Sequence, residues 1–449
     1  MDFINIDIDE LEMLVKEKKF TELKEHLDEM LPADIADLLE EVHFRDALVV
    51  YRILPKNIAV DVFQQLEIER QSELTSLVSD EELKAIIDEL FFDDMIDLIE
   101  EVPASLVKKV LKNTAPEKRK LINQFLRYED DTAGSLMTIE FVDLKKTMKV
   151  HDAMNRIKLT GVNKETIYTC YVVGEQKLLE GIVSLKNLVL SDSQVTVEEI
   201  MTDDYIYVGT QDDQEYIAEV FKKYDLLSLP VVDTEHRLVG IITIDDIVDV
   251  IEEETTEDFQ IMAAIAPSDD EYMLMTPFEL GRKRIVWLVI LMFSATLSQW
   301  IMDSNGSLLK EFTVLMGVVP MLMSTGGNAG AQSSTLVIRG ITLGDIEFND
   351  LLKVIWKEVR VGILIGIVLG ALNFVRIVIF SNDYKLATIV GLTLIGTTTM
   401  AALMGGLLPI IAKKMKLDPA IMASPLITTI TDATTLMIFF TIATIIFIG

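Results

Sequence analysis

The sequence contains few of the side chains that usually carry covalent or acid–base chemistry. Its 449 residues include one cysteine, Cys170, and four histidines. One cysteine excludes an internal disulfide framework and suits a reducing cytosol. The histidines, at positions 26, 43, 151 and 236, are scattered, and no nucleophile–base set accompanies them. We therefore expect that the protein is not an enzyme.

Basic side chains are scarce relative to acidic ones. The chain has 40 Lys and Arg against 72 Asp and Glu, which gives a formal net charge of −32. Such a surface repels polyanions, so nucleic acid is not an expected partner. Metal cations are attractive partners, although a merely soluble acidic surface would have the same composition.

The acidic excess is confined to the first 280 residues, because the stretch from Gly281 to Gly449 has nine acidic and 13 basic residues. This stretch contains five apolar runs, each near or above the ~20 residues that a helix needs to cross a bilayer. The runs are Ile285–Ile301, Phe312–Ile338, Val359–Phe380, Leu386–Ile411 and Pro419–Ile448. Thr276 and Glu279 fit a capping box, so the first helix should begin near Pro277. The sequence predicts an all-α transmembrane domain of five helices in a lipid bilayer.

Basic residues fall on alternate loops between these runs. They cluster at Arg282–Arg284, between Arg339 and Arg360, and at Lys413–Lys416. Since loops rich in Lys and Arg face the cytoplasm, we expect a multi-pass protein of the cell (plasma) membrane. Its N-terminus would be cytoplasmic and its C-terminus extracellular. Arg376, near the end of the third run, is a mild exception that can snorkel outward.

The second apolar run is interrupted by proline, glycine and amide side chains. A proline removes a backbone hydrogen bond, and glycines loosen the following turns. Irregular backbone at membrane depth is tolerated where it meets protein or water, and freed carbonyls bind hard cations. We predict a pore lining here, with close packing through small residues as the alternative. The residues concerned are Pro320, Gly326, Gly327, Asn328, Ala329 and Gln332. A glycine ridge in the third run, Gly362, Gly366 and Gly370, predicts helix packing only.

The last apolar run contains one ionisable side chain, Asp432. Pro425 distorts the first half of this run, and Thr428, Thr431 and Asp432 form one polar stripe at helical spacing. A carboxylate at mid-span costs roughly 2.5–3.5 kcal/mol on insertion scales, so it is a functional residue by default. The interior of the five runs offers no obvious basic partner for Asp432. A protonated, hydrogen-bonded structural Asp remains the alternative.

The soluble part shows two kinds of internal repeat. Residues 1–130 repeat short amphipathic helical segments with proline breaks, which predicts an all-α superhelical stack. Residues 131–253 mix β-rich runs with helices. There, Ser135–Thr138 is repeated at Glu199–Thr202, and Leu179–Val189 at Leu238–Val248.

These duplicated segments resemble a tandem pair of CBS modules, which are α+β units that often bind adenosine nucleotides. The order of parts, together with the Pro320–Gln332 and Asp418–Asp432 motifs, resembles the MgtE family of magnesium channels over nearly the whole chain. The resemblance implies four parts. They are an acidic α-helical Mg²⁺-sensing domain (1–130), the CBS pair (131–253), a connecting plug helix with linker (254–276) and the transmembrane domain (277–449).

The resemblance further implies a homodimer with a Mg²⁺-selective pore on its two-fold axis, lined by the second and fifth spans. Asp432 matches the family's selectivity aspartate, and Pro425, Thr428 and Thr431 would line the same wall. Two facing carboxylates would hold a hydrated Mg²⁺, because this ion keeps its waters and demands octahedral geometry. ATP is a further possible ligand, at the CBS pair.

Acidic residues of the soluble part match the family's regulatory Mg²⁺ ligands. Bound ions would hold the domains together and close the pore, which is negative feedback on uptake. The matching positions are Asp61, Asp93, Asp97, Asp213, Glu215, Asp225, Asp246, Asp249, Glu254, Glu257, Asp258 and Asp418. Two alternatives stay open at this point. One is a proton-coupled or broader carrier of Co²⁺, Ni²⁺ or Mn²⁺, and the other is a non-conducting membrane sensor of metal or nucleotide.

Overall fold

The computed structural model describes residues 6–268, 272–273, 275–422 and 424–447. The chain forms two compact units, Met1–Ile251 and Glu252–Gly449, and each is treated separately below. The predicted ends of the first domain and of the last span, at residues 1 and 448, lie outside the described residues. The same holds for residues 269–271 and 274 of the predicted linker.

The first unit opens with short amphipathic helices, each of which buries an apolar stripe. Several helices pack against the second helix that follows them in the chain, so the segment is a stack of helices, as the repeats predict. Ile35, Leu38 and Leu39 are buried in one repeat, and Met95, Leu98 and Ile99 in another. The helices are α1 (Ile8–Lys16), α2 (Phe20–Leu27), α3 (Pro32–Glu41), α4 (Phe44–Ile53), α5 (Lys56–Gln64), α6 (Ile68–Leu77), α7 (Asp80–Glu89), α8 (Phe92–Glu101), α9 (Ala104–Asn113) and α10 (Pro116–Phe125).

The same unit continues with two copies of one small α+β module. In each copy a short parallel pair precedes an antiparallel hairpin, which gives sheets β1–β2–β3 and β4–β5–β6. The first copy contains α11 (Ala133–Leu136), β1 (Asp143–Leu144), α12 (Val150–Thr160), β2 (Thr169–Val173), β3 (Leu179–Ser184) and α13 (Leu185–Leu190). The second contains α14 (Val197–Ile200), β4 (Val208–Gly209), α15 (Gln214–Tyr224), β5 (Ser228–Val232), β6 (Leu238–Thr243) and α16 (Ile244–Met262).

The two modules are equivalent down to strand register. Leu144 pairs with Val172 in the first sheet, as Val208 pairs with Val231 in the second. Both hairpins also carry an irregularity at the corresponding step, next to Val173 and next to Val232. The CBS-like duplication expected from the sequence is therefore present, with Cys170, Val172, Leu229 and Val231 fully buried in the strands.

The second unit is helical. Its elements are the end of α16, then α17 (Pro277–Ser304), α18 (Gly306–Glu311), α19 (Val319–Thr342), α20 (Leu351–Ser381), α21 (Tyr384–Lys414) and α22 (Ser424–Phe447). The capping box predicted at the start of α17 is confirmed: Thr276 Oγ1 accepts from the Glu279 amide, and the Glu279 carboxylate accepts from the Thr276 amide.

Within the described residues, four segments are long and apolar enough to cross a membrane, so the predicted count of five is not confirmed. They are Pro277–Ser304, Phe348–Ser381, Tyr384–Lys414 and Pro419–Phe447. The predicted second span corresponds to α19, a helix of 24 residues. Helix α19 is long enough to span. Glycine, serine, asparagine and glutamine make up much of its centre, however, and these residues lower its hydropathy.

The glycine ridge of α20 packs directly against α21, as predicted. A Cβ on Gly362 would lie 2.6 Å from Thr399 Cα, and one on Gly366 would lie 2.6 Å from Ile395 Cα. Thr398 Oγ1 donates to the Gly362 carbonyl oxygen at 2.9 Å across the same contact. Small residues thus let the two backbones meet, which is how helices associate where lipid provides no hydrophobic drive.

Candidate ion pathway and acidic clusters

The predicted pore glycines form the contact between α19, α21 and α22. A Cβ on Gly326 would lie 2.6 Å from Thr397 Cγ2 and 2.8 Å from Thr435 Oγ1. A Cβ on Gly327 would lie 2.9 Å from Thr428 Cγ2. Gly326 and Gly327 are buried, and glycine is required at both positions because any side chain would overlap threonine atoms. Within one chain these two residues therefore serve helix packing.

The other predicted pathway residues are divided between the surface and the interior of the helix bundle. On α19, Asn328 and Gln332 are exposed on one face, as their spacing predicts, with Ala329 half-buried beside them. Pro320 is in the first turn of α19 and Pro425 is the second residue of α22, so neither proline removes a helical hydrogen bond, and the predicted distortion by these prolines is wrong. On α22, Pro425, Thr428 and Asp432 are half-buried, whereas Thr431 is fully buried and donates from Oγ1 to the Thr428 carbonyl oxygen at 3.0 Å.

Several polar atoms in the interior of this bundle lack hydrogen-bond partners in the described part of the chain. Asp432 Oδ1 is one, and the hydroxyl oxygens of Thr393, Thr397 and Thr435 are the others. Thr397 and Thr435 flank Gly326, Thr393 is one turn from Thr397, and Asp432 is one turn from Thr435. Buried polar groups are normally paired with protein or water, so these four atoms have hydrogen-bonding capacity that the described part of the chain does not use.

A second group of carboxylates lies in the first unit. Asp93 and Asp94 begin α8, Glu165 precedes β2, and Asp245 and Asp246 begin α16. Asp93 is 8% exposed. Thr243 Oγ1 donates to Asp246 Oδ2 at 2.9 Å, and Gln64 donates to Asp94. Glu165 Oε2, by contrast, is buried and has no hydrogen-bond partner within the described ranges.

Burial and mutual repulsion raise the pKa values of this cluster. Burial, followed by the charges of Asp246, Asp94 and Glu165, raises the pKa of Asp93 well above its usual range. The same two causes raise the pKa of Asp246 to about 7 and that of Glu165 to about 8. Lys118 is the cation that interacts with the cluster, and burial lowers the pKa of its own ammonium group. A bound cation would favour the ionised carboxylates.

Another acidic group, made of Glu254, Asp258 and Asp418, lies in the second unit. Burial, followed by the charges of Asp418 and Glu254, raises the pKa of Asp258 on α16 to about 6. Asp418 Oδ1 accepts from the Ala420 amide at 2.7 Å, at the turn before α22. The structure thus brings together three predicted sensor residues, Glu254, Asp258 and Asp418.

The other predicted sensor residues are more dispersed. Asp213 caps α15, where its Oδ1 accepts from the Glu215 amide at 3.0 Å. Asp225 ends that helix in a left-handed conformation with φ 51°. Exposed side chains are found at Asp61, Asp97, Asp213, Glu215, Asp225, Asp249 and Glu257. Within the described residues, no three His, Cys, Asp or Glu side chains are arranged to hold one metal ion.

A cleft of about 760 Å³ opens between the two CBS-like modules. Tyr168, Ile182 and Leu185 of the first module face Tyr205, Leu227 and Pro230 of the second. Lys186 and Asp225 add charge, and Thr169 and Ser184 add hydroxyls. Aromatic and aliphatic walls with a few polar groups suit a flat, polar ligand.

Sequence reasoning missed three members of the acidic group in the first unit: Asp94, Glu165 and Glu140, whose charge raises the pKa values of Asp94 and Glu165. Asp94 is adjacent to the predicted ligand Asp93, whereas no local spacing joins Glu140 or Glu165 to α8. Tertiary packing brings these carboxylates together, and no signal in the sequence identifies Glu140 or Glu165 as members of the group.

Three family models match separate parts of the chain. The family model described as "Divalent cation transporter" matches residues 319–442, "MgtE intracellular N domain" matches residues 3–131, and "CBS domain" matches residues 197–253. Magnesium transporter MgtE of Thermus thermophilus is 35% identical over 424 residues, which cover 94% of each chain. Magnesium transporter MgtE of Bacillus subtilis is 30% identical over 444 residues, 98% of each chain.

Two solved structures are similar to the soluble part. The cytosolic domain of the Mg²⁺ channel MgtE in complex with ATP is 36% identical, with a TM-score of 0.52, and the match covers 54% of this chain and 100% of that one. The soluble part of a magnesium transporter is 30% identical, with a TM-score of 0.51, and the match covers 55% of this chain and 97% of that one.

Proposed function

This chain belongs to the MgtE family of magnesium transporters, and from that premise we propose that it is a Mg²⁺-selective channel closed by intracellular Mg²⁺. The transported ion would enter through a homodimer, on a path formed by α19 and α22 of both copies. Asp432 is the residue to which we assign cation selection, with Asn328, Ala329, Gln332, Pro425 and Thr428 lining the path beside it.

One observation carries this assignment: within the described residues, Asp432 Oδ1 and the hydroxyl oxygens of Thr393, Thr397 and Thr435 have no hydrogen-bond partner. A carboxylate at membrane depth is costly unless it meets water, a cation or a donor. Mg²⁺ dehydrates reluctantly, so threonine hydroxyls and a carboxylate suit it through its own waters. Two Asp432 carboxylates that face each other across a dimer axis would repel until a divalent ion neutralises them.

The test is Mg²⁺ uptake into proteoliposomes by the wild-type chain and by Asp432→Asn. We expect the variant to lose at least tenfold in flux, because the amide keeps the size of the side chain but removes its charge. Asp383→Asn is the matched control. Asp383 caps α21 by accepting from the Leu386 amide at 3.0 Å, and asparagine caps a helix as well as aspartate does. Unchanged flux in Asp432→Asn would refute the pathway.

The same vesicles separate the channel from its rivals. A proton-coupled carrier needs Asp432 to titrate during transport, so its flux would follow an imposed pH gradient, whereas channel flux would not. Competition by Co²⁺, Ni²⁺ and Mn²⁺ measures selectivity. A non-conducting sensor would give no flux with either chain while still binding Mg²⁺.

We assign the regulatory Mg²⁺ sites to the two acidic groups described above. In the first unit, Asp93, Asp246 and Glu165 bring carboxylates from α8, α16 and the loop before β2 into mutual repulsion. In the second, Asp258 on α16 meets Asp418 beside α22. A bridging divalent ion removes the repulsion at each group. Because several such sites act on one closed state, their free energies add and make the gate steep.

The exposed sensor candidates complete this proposal. Asp61, Asp97, Asp213, Glu215, Asp225, Asp249 and Glu257 are accessible to solvent, so each could contribute through water to an ion held between elements. We assign the sensing domain to residues 1–130, the CBS pair to 131–253, the connecting helix and linker to 254–276, and the transmembrane domain to 277–449. Five spans place the N-terminus in the cytoplasm and the C-terminus outside the cell membrane.

ATP is the ligand we propose for the cleft between the CBS modules. The volume of about 760 Å³ accommodates a nucleotide, and Tyr168, Tyr205 and Pro230 offer surfaces for a purine. Lys186 would meet phosphate. A cytosolic-domain relative described as an ATP complex supports this choice. Bound ATP would tie the two modules together and so favour one arrangement of the sensor.

A further inference from the structure

We propose that Arg376 binds the phosphodiester headgroup of a membrane phospholipid, in a cleft between α20 and the segment that leads into α19. The proposal does not depend on magnesium transport, and the lining residues are separate from those assigned to the ion pathway. In the sequence, Arg376 is an exception to the pattern that places basic residues on alternate loops.

Arg376 lines two cavities of the second unit, of about 500 and 170 Å³. The larger is walled by Val318, Phe380 and Leu386, with the Ser381 side chain also in its lining. The smaller is walled by Leu369, Leu372 and Leu394. Arg376 is the one ionisable side chain in either lining. The polar residues Ser381, Thr325 and Asn373 also line these cavities. A cation between cavities with both polar and aliphatic walls is complementary to an anionic headgroup that carries acyl chains.

The guanidinium has donors that the protein does not use. Its Nε and Nη2 donate to Asn373 Oδ1 at 3.1 and 2.9 Å. Within the described residues no carboxylate forms an ion pair with Arg376, and the acid nearest along the chain, Asp383, caps α21 instead. Arginine presents a planar fork of five N–H groups that matches phosphate in a bidentate manner. The free edge of the guanidinium therefore needs an acceptor.

The surroundings select a lipid over a soluble phosphate. Arg376 is exposed on a face of α20 whose other members, Leu372, Ile379 and Phe380, are 65%, 70% and 84% exposed. This apolar face lies in a segment suited to cross the bilayer. A charged side chain there reaches toward the headgroups. In the orientation proposed above, the site belongs to the outer leaflet, because Lys353 and Lys357 mark the opposite end of α20.

The site also contacts α19, one of the two helices proposed to form the ion pathway. Asn373 Nδ2 donates to Met321 Sδ at 3.0 Å, and Arg376 Nη2 approaches the same sulfur at 3.6 Å. Met321 is in the first turns of α19, ahead of Gly326. A phosphate held by Arg376 would therefore fix the outer part of α20 against α19.

The test is photo-cross-linking of the full chain, reconstituted in bilayers of phosphatidylethanolamine and phosphatidylglycerol. The probe is a phospholipid with a photoactivatable group near its glycerol, and the cross-linked peptides are identified by mass spectrometry. Three variants are compared with the wild type: Arg376→Gln, Arg376→Lys and, as a matched control from the other end of the same helix, Arg360→Gln. A photoactivatable diacylglycerol and an excess of free glycerol phosphate form two further arms.

We expect labelling of the segments around Val318 and Phe380, at least fivefold weaker in Arg376→Gln, intermediate in Arg376→Lys and unchanged in Arg360→Gln. Equal labelling in Arg376→Gln, or by diacylglycerol, would overturn the proposal. Displacement by glycerol phosphate would assign the site to a free phosphate instead. No labelling of these segments in the wild type would also overturn the proposal. The lysine variant keeps the charge and guards against a failure of Arg376→Gln to fold.

Discussion

Single residues show how far local sequence predicts this site and where it stops. Asp432 could be identified because an acid inside an apolar run is conspicuous, and its unpartnered oxygen agrees with that interpretation. Glu165 could not be identified, because the carboxylates that act on it belong to α8 and α16, which are distant in sequence. A lone glutamate in a loop has no local signature, and only the fold gives it acidic neighbours.

Glu165 and Asp246 make a prediction about pH. Their pKa values are raised to about 8 and about 7 in the folded chain, so between pH 5 and 8 the folded state binds more protons than the unfolded state. Stability should therefore be highest at the acidic end and fall as pH rises through these values. In chelator, we expect the transition temperature of the full chain to drop by roughly 5 °C over this range, measured by scanning calorimetry.

The variant Glu165→Gln isolates the contribution of that residue. It should flatten the pH dependence and raise the transition temperature at pH 8, because the amide carries no charge to bury. Glu175→Gln, an exposed position in the same module, is the control and should leave the slope unchanged. Parallel slopes for wild type and Glu165→Gln would contradict the assignment.

At the scale of elements, the sequence correctly predicted features that depend on the residues of one helix. The start of α17 and the glycine ridge of α20 follow from capping and from small residues at helical spacing. Helix α19 was the difficult element. Its Pro, Gly, Asn and Gln content suggested a pore wall, but two of its glycines turn out to be buried contacts with threonines. Tertiary packing decides which face of α19 meets α22. The spacing of residue types along α19 does not determine that face.

The contact between α20 and α21 predicts a sharp effect of one methyl group. A Cβ on Gly366 would lie 2.6 Å from Ile395 Cα and 2.6 Å from Thr398 Oγ1, and backbone cannot move aside. We expect Gly366→Ala to destabilise the membrane unit by about 1–3 kcal/mol, the usual cost of overpacking. The measurement is thermal unfolding of the detergent-solubilised chain.

Gly281→Ala is the paired control on α17, where a new Cβ would meet no atom within 4 Å. Alanine is the better helix former there, so this variant should be neutral or slightly stabilising. If both substitutions lowered the transition temperature equally, the backbone contact would not be the cause.

For the whole molecule, the distribution of charge matters more than its total. The chain carries a net charge of −32, and its two acidic groups set carboxylates from separate elements against each other. The domain order could be predicted because each part has its own composition. The joining of α8, the first module and α16 into one acidic group could not, because it requires the tertiary packing of the first unit.

This arrangement predicts that compaction of the full chain responds to Mg²⁺ specifically. Limited proteolysis at matched ionic strength should be slowed at least fivefold by MgCl₂ and little by NaCl, because screening alone does not bridge carboxylates. The double variant Asp93→Asn with Asp246→Asn should need more Mg²⁺ for the same protection. Asp37→Asn, an exposed acid on α3, is the comparison. Equal protection by both salts would contradict bridging.

The threonine–glycine contacts between α19, α21 and α22 have a mechanical consequence. Gly326, Gly327 and Gly405 each leave less than 3 Å for an added atom, and the neighbours of Gly405 include the Gly330 carbonyl oxygen at 2.5 Å. Surfaces this close cannot slide by one residue without overlap, so the three helices form one rigid wall. We expect the aperture of a dimeric pore to vary with a single coordinate, the angle between two such walls. Tilting by a few degrees would then change conductance without any rotamer change.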